Sequence, residues 1–483
     1  MENTLTTEYS VVMLRSCSRH RRRSPNPHTG VSMETMQDAA PAGGTRPAAG
    51  AAPTNDQAPM KGRKRNVWLI AGTMAIDGGD SGLINALFPV IQASLGLASS
   101  ALGVLLSVGR LFGVIAGPVL VFLTKFFTRR TILAVAGGFW GVWSILAGFS
   151  QDFTQLLILY TIMVGGAMAG HVFLPTVVGD SFEDAKRARV VGWVYGALVG
   201  FGALTTPLIG QLANVENGWR YGFFVFGALN ILFGILTLIF FKDPGIGSVD
   251  GRADGGVEGA KTERDLTLKK VLPLFRIPSF LILSLSRLIS PHPVMAAFGV
   301  IMLVEAHGLS VPVAATIMAP FGIGYLVGNI LIGYLGDWFN KISPNAGRIG
   351  LLQFAQFAFG VFALLATQFT YDSIVWYAVF FALMGAVQGW NPILNRPIVM
   401  AVVAPELRSA AFGFMISVVE SISFSLLALI TGFLADAIGI QGALFWTVVV
   451  VVFANGVLLT ALYPAYIRDK ARLAARLHHS PAA

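Results

Sequence analysis

The chain has 483 residues, 54% of them hydrophobic and 12% charged, with a formal net charge of +9 and a mean hydropathy of +0.68. That balance excludes a soluble globular domain and points to a polytopic membrane protein, all-α in class. The single cysteine, Cys17, excludes an internal disulfide framework and a multi-cysteine metal site. No nucleophile and base spacing, phosphate loop or metal cluster stands out, so neither an enzyme nor a cofactor is expected.

Residues 1–60 are rich in Ala, Pro, Ser, Thr and Gly, carry the basic run Arg19 to Arg23, and read as a disordered tail without the apolar core of a secretory signal. Met33, Met36 and Met60 are alternative starts. The body begins at Lys61. Spanning segments are expected at 67–92, 99–124, 130–149, 154–178, 189–212 and 220–241, and again at 278–303, 311–336, 348–369, 373–402, 408–435 and 441–464. Domains are therefore expected at 61–241 and 278–465, joined by a linker at 242–277, with a tail at 466–483. Within the linker, Leu266 to Leu272 has the pattern of a short amphipathic helix lying on the membrane surface.

The first segment holds Ile76-Asp77-Gly78-Gly79-Asp80-Ser81 near its middle. An acid at a bilayer centre costs about 2.5–3.5 kcal/mol on insertion scales, so two of them call for a reason. Three residues apart, Asp77 and Asp80 share a helix face, and neighbouring carboxylates in a poor solvent do not both ionise easily. Such a pair suits proton coupling. The alternative is a structural acid paired with an intramembrane arginine, with Gly78-Gly79 allowing close helix packing.

Alternate loops carry nearly all the Lys and Arg of the body: Lys61 to Arg65, Lys125 to Arg130, Lys186 to Arg189, the linker, Lys341 and Arg348, Arg408, and Arg468 to Arg476. The opposite loops hold only Arg220. The positive-inside rule then places both termini in the cytoplasm, and a plasma-membrane location is expected. Basic charge placed this way is topological, which argues against nucleic acid as a partner.

The two halves echo one another, with Arg187-Ala188-Arg189-Val190-Val191-Gly192 after the fourth segment and Leu407-Arg408-Ser409-Ala410-Ala411-Phe412-Gly413 after the tenth. After the eighth stands Gly333-Tyr334-Leu335-Gly336-Asp337-Trp338-Phe339-Asn340-Lys341. This resembles the G-x-L-x-D-R-x-x-R-K loop signature of the major facilitator superfamily, with Trp338 in place of the usual arginine. The first-half copy, Val121 to Arg130, keeps only the basic end, Arg129 and Arg130. The resemblance covers residues 66–465. It implies twelve transmembrane helices in two pseudo-symmetric six-helix bundles, rocking about a cavity lined mainly by helices 1, 4, 7 and 10. It also implies gating roles for Asp337, Lys341, Arg129 and Arg130.

Those helices are polar at depth. Helix 1 supplies Asp77, Asp80 and Asn85, and helix 4 supplies His171. Helix 7 supplies Arg287 and His292, the latter between Pro291 and Pro293 at an expected break, and helix 10 supplies Gln388, Trp390, Asn391, Asn395 and Arg396. Arg110, Asn329 and Glu420 lie on helices 2, 8 and 11. Arginine stays charged and grips a carboxylate or phosphate with two parallel hydrogen bonds, so Arg110, Arg287 and Arg396 suggest an anionic substrate. Equally, they match Asp77, Asp80 and Glu420 three to three as counter-ions. His171 and His292 suit either proton relay or neutral packing. Glu420, among serines, suits a second proton site or a neutral acid bonded to a serine. The glycines of helix 5 read as close packing against a neighbour.

Asp77-Gly78-Gly79-Asp80 resembles the D-G-x-D of aromatic-acid:proton symporters, whereas Asp180-Ser181-Phe182 and Arg187 to Tyr195 look like spinster-type lipid carriers. Those carriers keep an arginine where this chain has Tyr160 and a glutamate where it has Ala167, which speaks against a lipid substrate. The expectation is a monomeric secondary carrier that takes up a small organic anion, a carboxylate, together with protons. Proton-antiport export of amphiphilic compounds is the alternative, and a non-transporting sensor with a carrier fold is a remoter one.

Overall fold

The computed structural model describes residues 62–244 and 272–479. The expected N-terminal tail, Lys61, linker residues 245–271 with nearly all of the surface-helix stretch, and residues 480–483 lie outside the described residues. Every regular element among the described residues is helical. A bilayer leaves the backbone no water to bond to, and a helix satisfies its own peptide groups.

In the first half, α1 is Arg63–Leu95, α2 Ser100–Leu123, α3 Arg129–Ala147, α4 Phe153–Ser181, α5 Asp184–Gln211 and α6 Gly218–Phe240. In the second, α7 is Pro278–Glu305, α8 Val311–Ile342, α9 Gly347–Gln368 and α10 Ile374–Val402. Ten stretches among the described residues are long and apolar enough to cross a membrane, the last being Pro405–Arg476. It turns at Gly439, whose φ of 81° an L side chain rarely adopts, and so forms two helices, α11 (408–438) and α12 (440–479). α1, diluted by its aspartates, falls outside those ten, and with it the twelve-helix body is complete.

The repeat is visible in the packing. α2 packs on α4 as α8 packs on α10, α3 on α6 as α9 on α12, and α1 on α5 as α7 on α11. Between the halves, α2 meets α11 and α5 meets α8, two seams that the same pseudo-symmetry relates.

The structure corrects three expectations. The Gly333 to Lys341 motif forms the last turns of α8 instead of a loop. Residues 466–479 continue α12 as helix, and Asp469, buried there, accepts hydrogen bonds from the Ser279 amide and hydroxyl at 2.8 and 2.7 Å, capping the start of α7. The α5 glycines do not mark close packing, since a side chain at Gly192, Gly200 or Gly202 would meet nothing within 4 Å. Only Gly210, at the far end, lies tight against Ala315 of α8.

Candidate functional site

A cavity of about 2770 Å³ separates the two halves and opens on the face of the basic loops, reaching Lys125, Arg187, Arg189 and Phe275. At its inner end is a recess of about 330 Å³. Arg110 of α2, Arg396 of α10 and Glu420 of α11 line both spaces. The other face is shut. There the Ser99 hydroxyl donates to Glu305 at 3.3 Å, the Ser100 amide to Asp436 at 3.1 Å, and the Ser107 hydroxyl to the Ser425 carbonyl at 2.7 Å, each from one half to the other. At this seam a methyl on Gly103 would run into the Ala428 carbonyl, so α2 and α11 approach at backbone distance.

Glu420 comes directly after a π-helical turn, Phe414–Val419. Such a turn inserts one residue into the helical register and re-aims the side chains beyond it, here into the recess. Arg287 ends the first piece of α7, Pro278–Leu288, and its Nη2 lies 2.8 Å from Glu420 Oε1. Their side chains are 16% and 29% exposed, so the pair touches the water of the cavity. Neither aspartate of α1 pairs with Arg110 or Arg287; Glu420 takes Arg287 instead, and no serine satisfies it as a neutral acid.

The expected break in α7 is present at residues 289–291. Asn455 of α12 covers it, donating to the Ser286 and Ile289 carbonyls at 3.0 and 3.3 Å, which supplies the bonds that a broken helix lacks. His292 is buried, with Nδ1 2.8 Å from the Ser290 hydroxyl and its ring edge-on to Phe359. It borders the recess together with Asn391 and Asn395. Asn391 accepts from Gln356 of α9 at 2.9 Å, which orients its amide. His171 is exposed to the larger cavity and stacks on Tyr195 of α5.

Other candidates lie elsewhere. Trp390 is half-buried, stacks on Phe354 of α9 and lines neither space. Asp77 and Asp80 also line neither space. Asp80 points into the first bundle, where Ser144 of α3 lies 2.9 Å from Oδ1 and Asn230 of α6 donates to Oδ2 at 3.1 Å. Gly79, not Gly78, is the close-packing residue, set against Phe226 of α6, while Gly78 faces open space. Among the gating candidates, Arg129 pairs with Asp180 and Asp337 with Arg348 at 3.1 Å, whereas Arg130 and Lys341 are exposed. Sequence reasoning missed Ser144, Asn230, Gln356 and Asn455. The two asparagines, each alone in an apolar helix, were the available signal.

The family model of the Major Facilitator Superfamily matches residues 70–357 and 279–479. The chain belongs to the major facilitator superfamily. Within it, the Sphingosine-1-phosphate transporter SPNS2 of Danio rerio is 29% identical over 163 residues, 33% of this chain and 32% of that protein. Protein spinster of Drosophila melanogaster is 22% identical over 375 residues, 72% of this chain and 58% of its own length. The chain thus aligns with less than two thirds of either relative. Among solved structures, a bacterial homologue of the human lysosomal transporter Spinster, in an inward-facing and occupied conformation, superposes with a TM-score of 0.67 at 18% identity, covering 88% of this chain and 100% of that one. Members of this superfamily are transporters, and the chain is a multi-pass membrane protein of this family.

Proposed function

We propose that this superfamily member is a proton-coupled carrier that takes up a small organic anion, most simply a carboxylate, by alternating access in the plasma membrane. The observation that carries the reading is the charge around the recess: Arg110, Arg287 and Arg396, drawn from both halves, against one carboxylate, Glu420. An anion bound there brings Arg110 and Arg396 toward a common charge and gives the two bundles a reason to close. The positive-inside rule makes the basic-loop face cytoplasmic, so the open state faces the cell interior. A relative named for carrying a phosphate-bearing molecule agrees with an anionic cargo.

A second reading, export of amphiphilic compounds by proton antiport, draws support from the apolar walls beyond the recess, among them Val114, Met168, Trp193, Leu326, Ile330 and Phe414. Uptake into proteoliposomes under an imposed pH gradient separates the two, using labelled carboxylates, sugars and a lipophilic cation. Gradient-driven accumulation of a carboxylate supports the first. Movement of the lipophilic cation alone, against the proton gradient, refutes it in favour of the second.

A further inference from the structure

Two of the acids at membrane depth stand in opposite settings. Asp80 is 1% exposed, and its Oδ1 lies 2.9 Å from Ser144 Oγ, which itself lies 3.1 Å from the Phe223 carbonyl. The Ser144 hydroxyl donates to Asp80 Oδ1, the nearer of its two acceptors, and the Phe223 carbonyl lies within reach of the same hydrogen. Both Asp80 oxygens are thereby satisfied, Oδ1 by Ser144 and Oδ2 by Asn230. Asp80 is then a buried, hydrogen-bonded tie joining α1 to α3 and α6 inside one half. Nothing in that position meets a cargo or changes when the halves move apart.

Glu420 differs on each point. It reaches the water of the cavity, its partner is a cation, and that cation stands where an anion would bind. We propose that Glu420 is the coupling acid, and that it works by competing with the transported anion for Arg287. The proposal rests on the anion-carrier reading above.

With Glu420 ionised, the Arg287 guanidinium is engaged. A proton added to the Glu420 carboxylate gives the neutral acid and ends the ion pair. The guanidinium keeps its charge and its N–H groups turn to the anion. While the anion holds Arg287, Glu420 has lost the partner that favoured its charged form, so proton and anion bind together and leave together. The surrounding groups fit this exchange. Arg110 from α2 and Arg396 from α10 attract the anion, Ser421 and Ser423 of α11 border the same spaces, and α8 adds only the uncharged Tyr325 and Asn329. His292 of α7 is held by Ser290 and packed on Phe359, and His171 of α4 stacks on Tyr195 in the wider cavity.

The test uses reconstituted full-length protein and two readouts. Infrared difference spectra between alkaline and acid buffer need no cargo. One component of the protonated-carboxyl absorption, added to that of the other titrating acids, is lost in Glu420→Gln and retained in Asp80→Asn, and a spectrum unchanged by Glu420→Gln overturns the proposal. Benzoate then serves as the probe anion. At alkaline pH it should raise the same band in the wild type. Its affinity should fall by about tenfold per pH unit as the medium becomes alkaline, the slope of one linked proton, and this dependence should vanish in Glu420→Gln, which equilibrates benzoate without concentrating it. Gradient-driven accumulation persisting in Glu420→Gln overturns the proposal and leaves the carrier reading standing. A wild type that concentrates neither benzoate nor any other carboxylate refutes the carrier reading, and with it this proposal, whatever the infrared result.

Discussion

Replacing Asp80 with alanine and with asparagine discriminates between a hydrogen-bonded neutral tie and an ionised acid. Alanine removes both partners' contact. Ser144 keeps its approach to the Phe223 carbonyl, but the amide of Asn230, 3% exposed, loses its Asp80 acceptor. One orphaned buried donor costs about 1–3 kcal/mol, and the void left by the carboxyl adds to it. Asparagine keeps the count closed, with its amide donating to Ser144 and its carbonyl accepting from Asn230, so its cost should stay below about 1 kcal/mol. Thermal unfolding in detergent, monitored by tryptophan fluorescence, reads the difference; in a chain this long each kcal/mol shifts the midpoint by no more than about 2 °C. Asp80→Ala should fall by several degrees and Asp80→Asn should stay near the wild type. If both fall equally, or asparagine falls further, Asp80 is ionised in the folded protein.

At the recess, Arg396→Gln should weaken anion binding by about 10- to 100-fold, the worth of one charged hydrogen-bond donor, and Arg396→Lys should restore only part of it; a competition assay with labelled benzoate checks both. Gly103→Val, which drives a side chain into α11, should part the far seam. A cysteine placed at Ser107 in a Cys17→Ser background should then react faster with an impermeant maleimide from the face that is closed here. Beyond the membrane helices, burial holds the His307 imidazole below its ordinary value, against a smaller opposing pull from the Ala366 backbone. The folded chain therefore binds this proton less readily than the unfolded one. The stability contributed is whole above about pH 6.5 and is lost as pH falls through that ordinary value toward the depressed one. A melting-temperature profile on the acid side should be shallower in His307→Asn, and an unchanged profile would show that His307 plays no part in it.

The helices were legible because long apolar runs admit few other structures in a bilayer, and the break at Pro291 because two prolines flank His292. Depth along a helix was legible too, since a fixed rise per residue sets it. Azimuth was not. Asp77 and Glu420 both sit at mid-membrane, yet which one faces the cargo depends on helix rotation, and the π turn before Glu420 shifts the register in a way that composition does not announce. Trp390 was misjudged for the same reason. Partner choice was equally hidden, because three acids against three arginines permit many pairings, and a serine, an asparagine and a carbonyl took Asp80 out of that contest. A related regularity was available: Asn230 and Asn455 occupy the last helix of each half, and each satisfies the first helix of its own half.

The gap along α5 bears on how such a molecule can move at all. Joining α5 to α8 on the open face would bring a glycine backbone against its neighbour with almost no side-chain freedom to surrender. Parting α2 from α11 on the closed face gives up contacts of the same small-residue kind. One small-residue seam is exchanged for another, and whatever difference the exchange leaves between the two states, a cargo shifts it only by its own difference in binding to them.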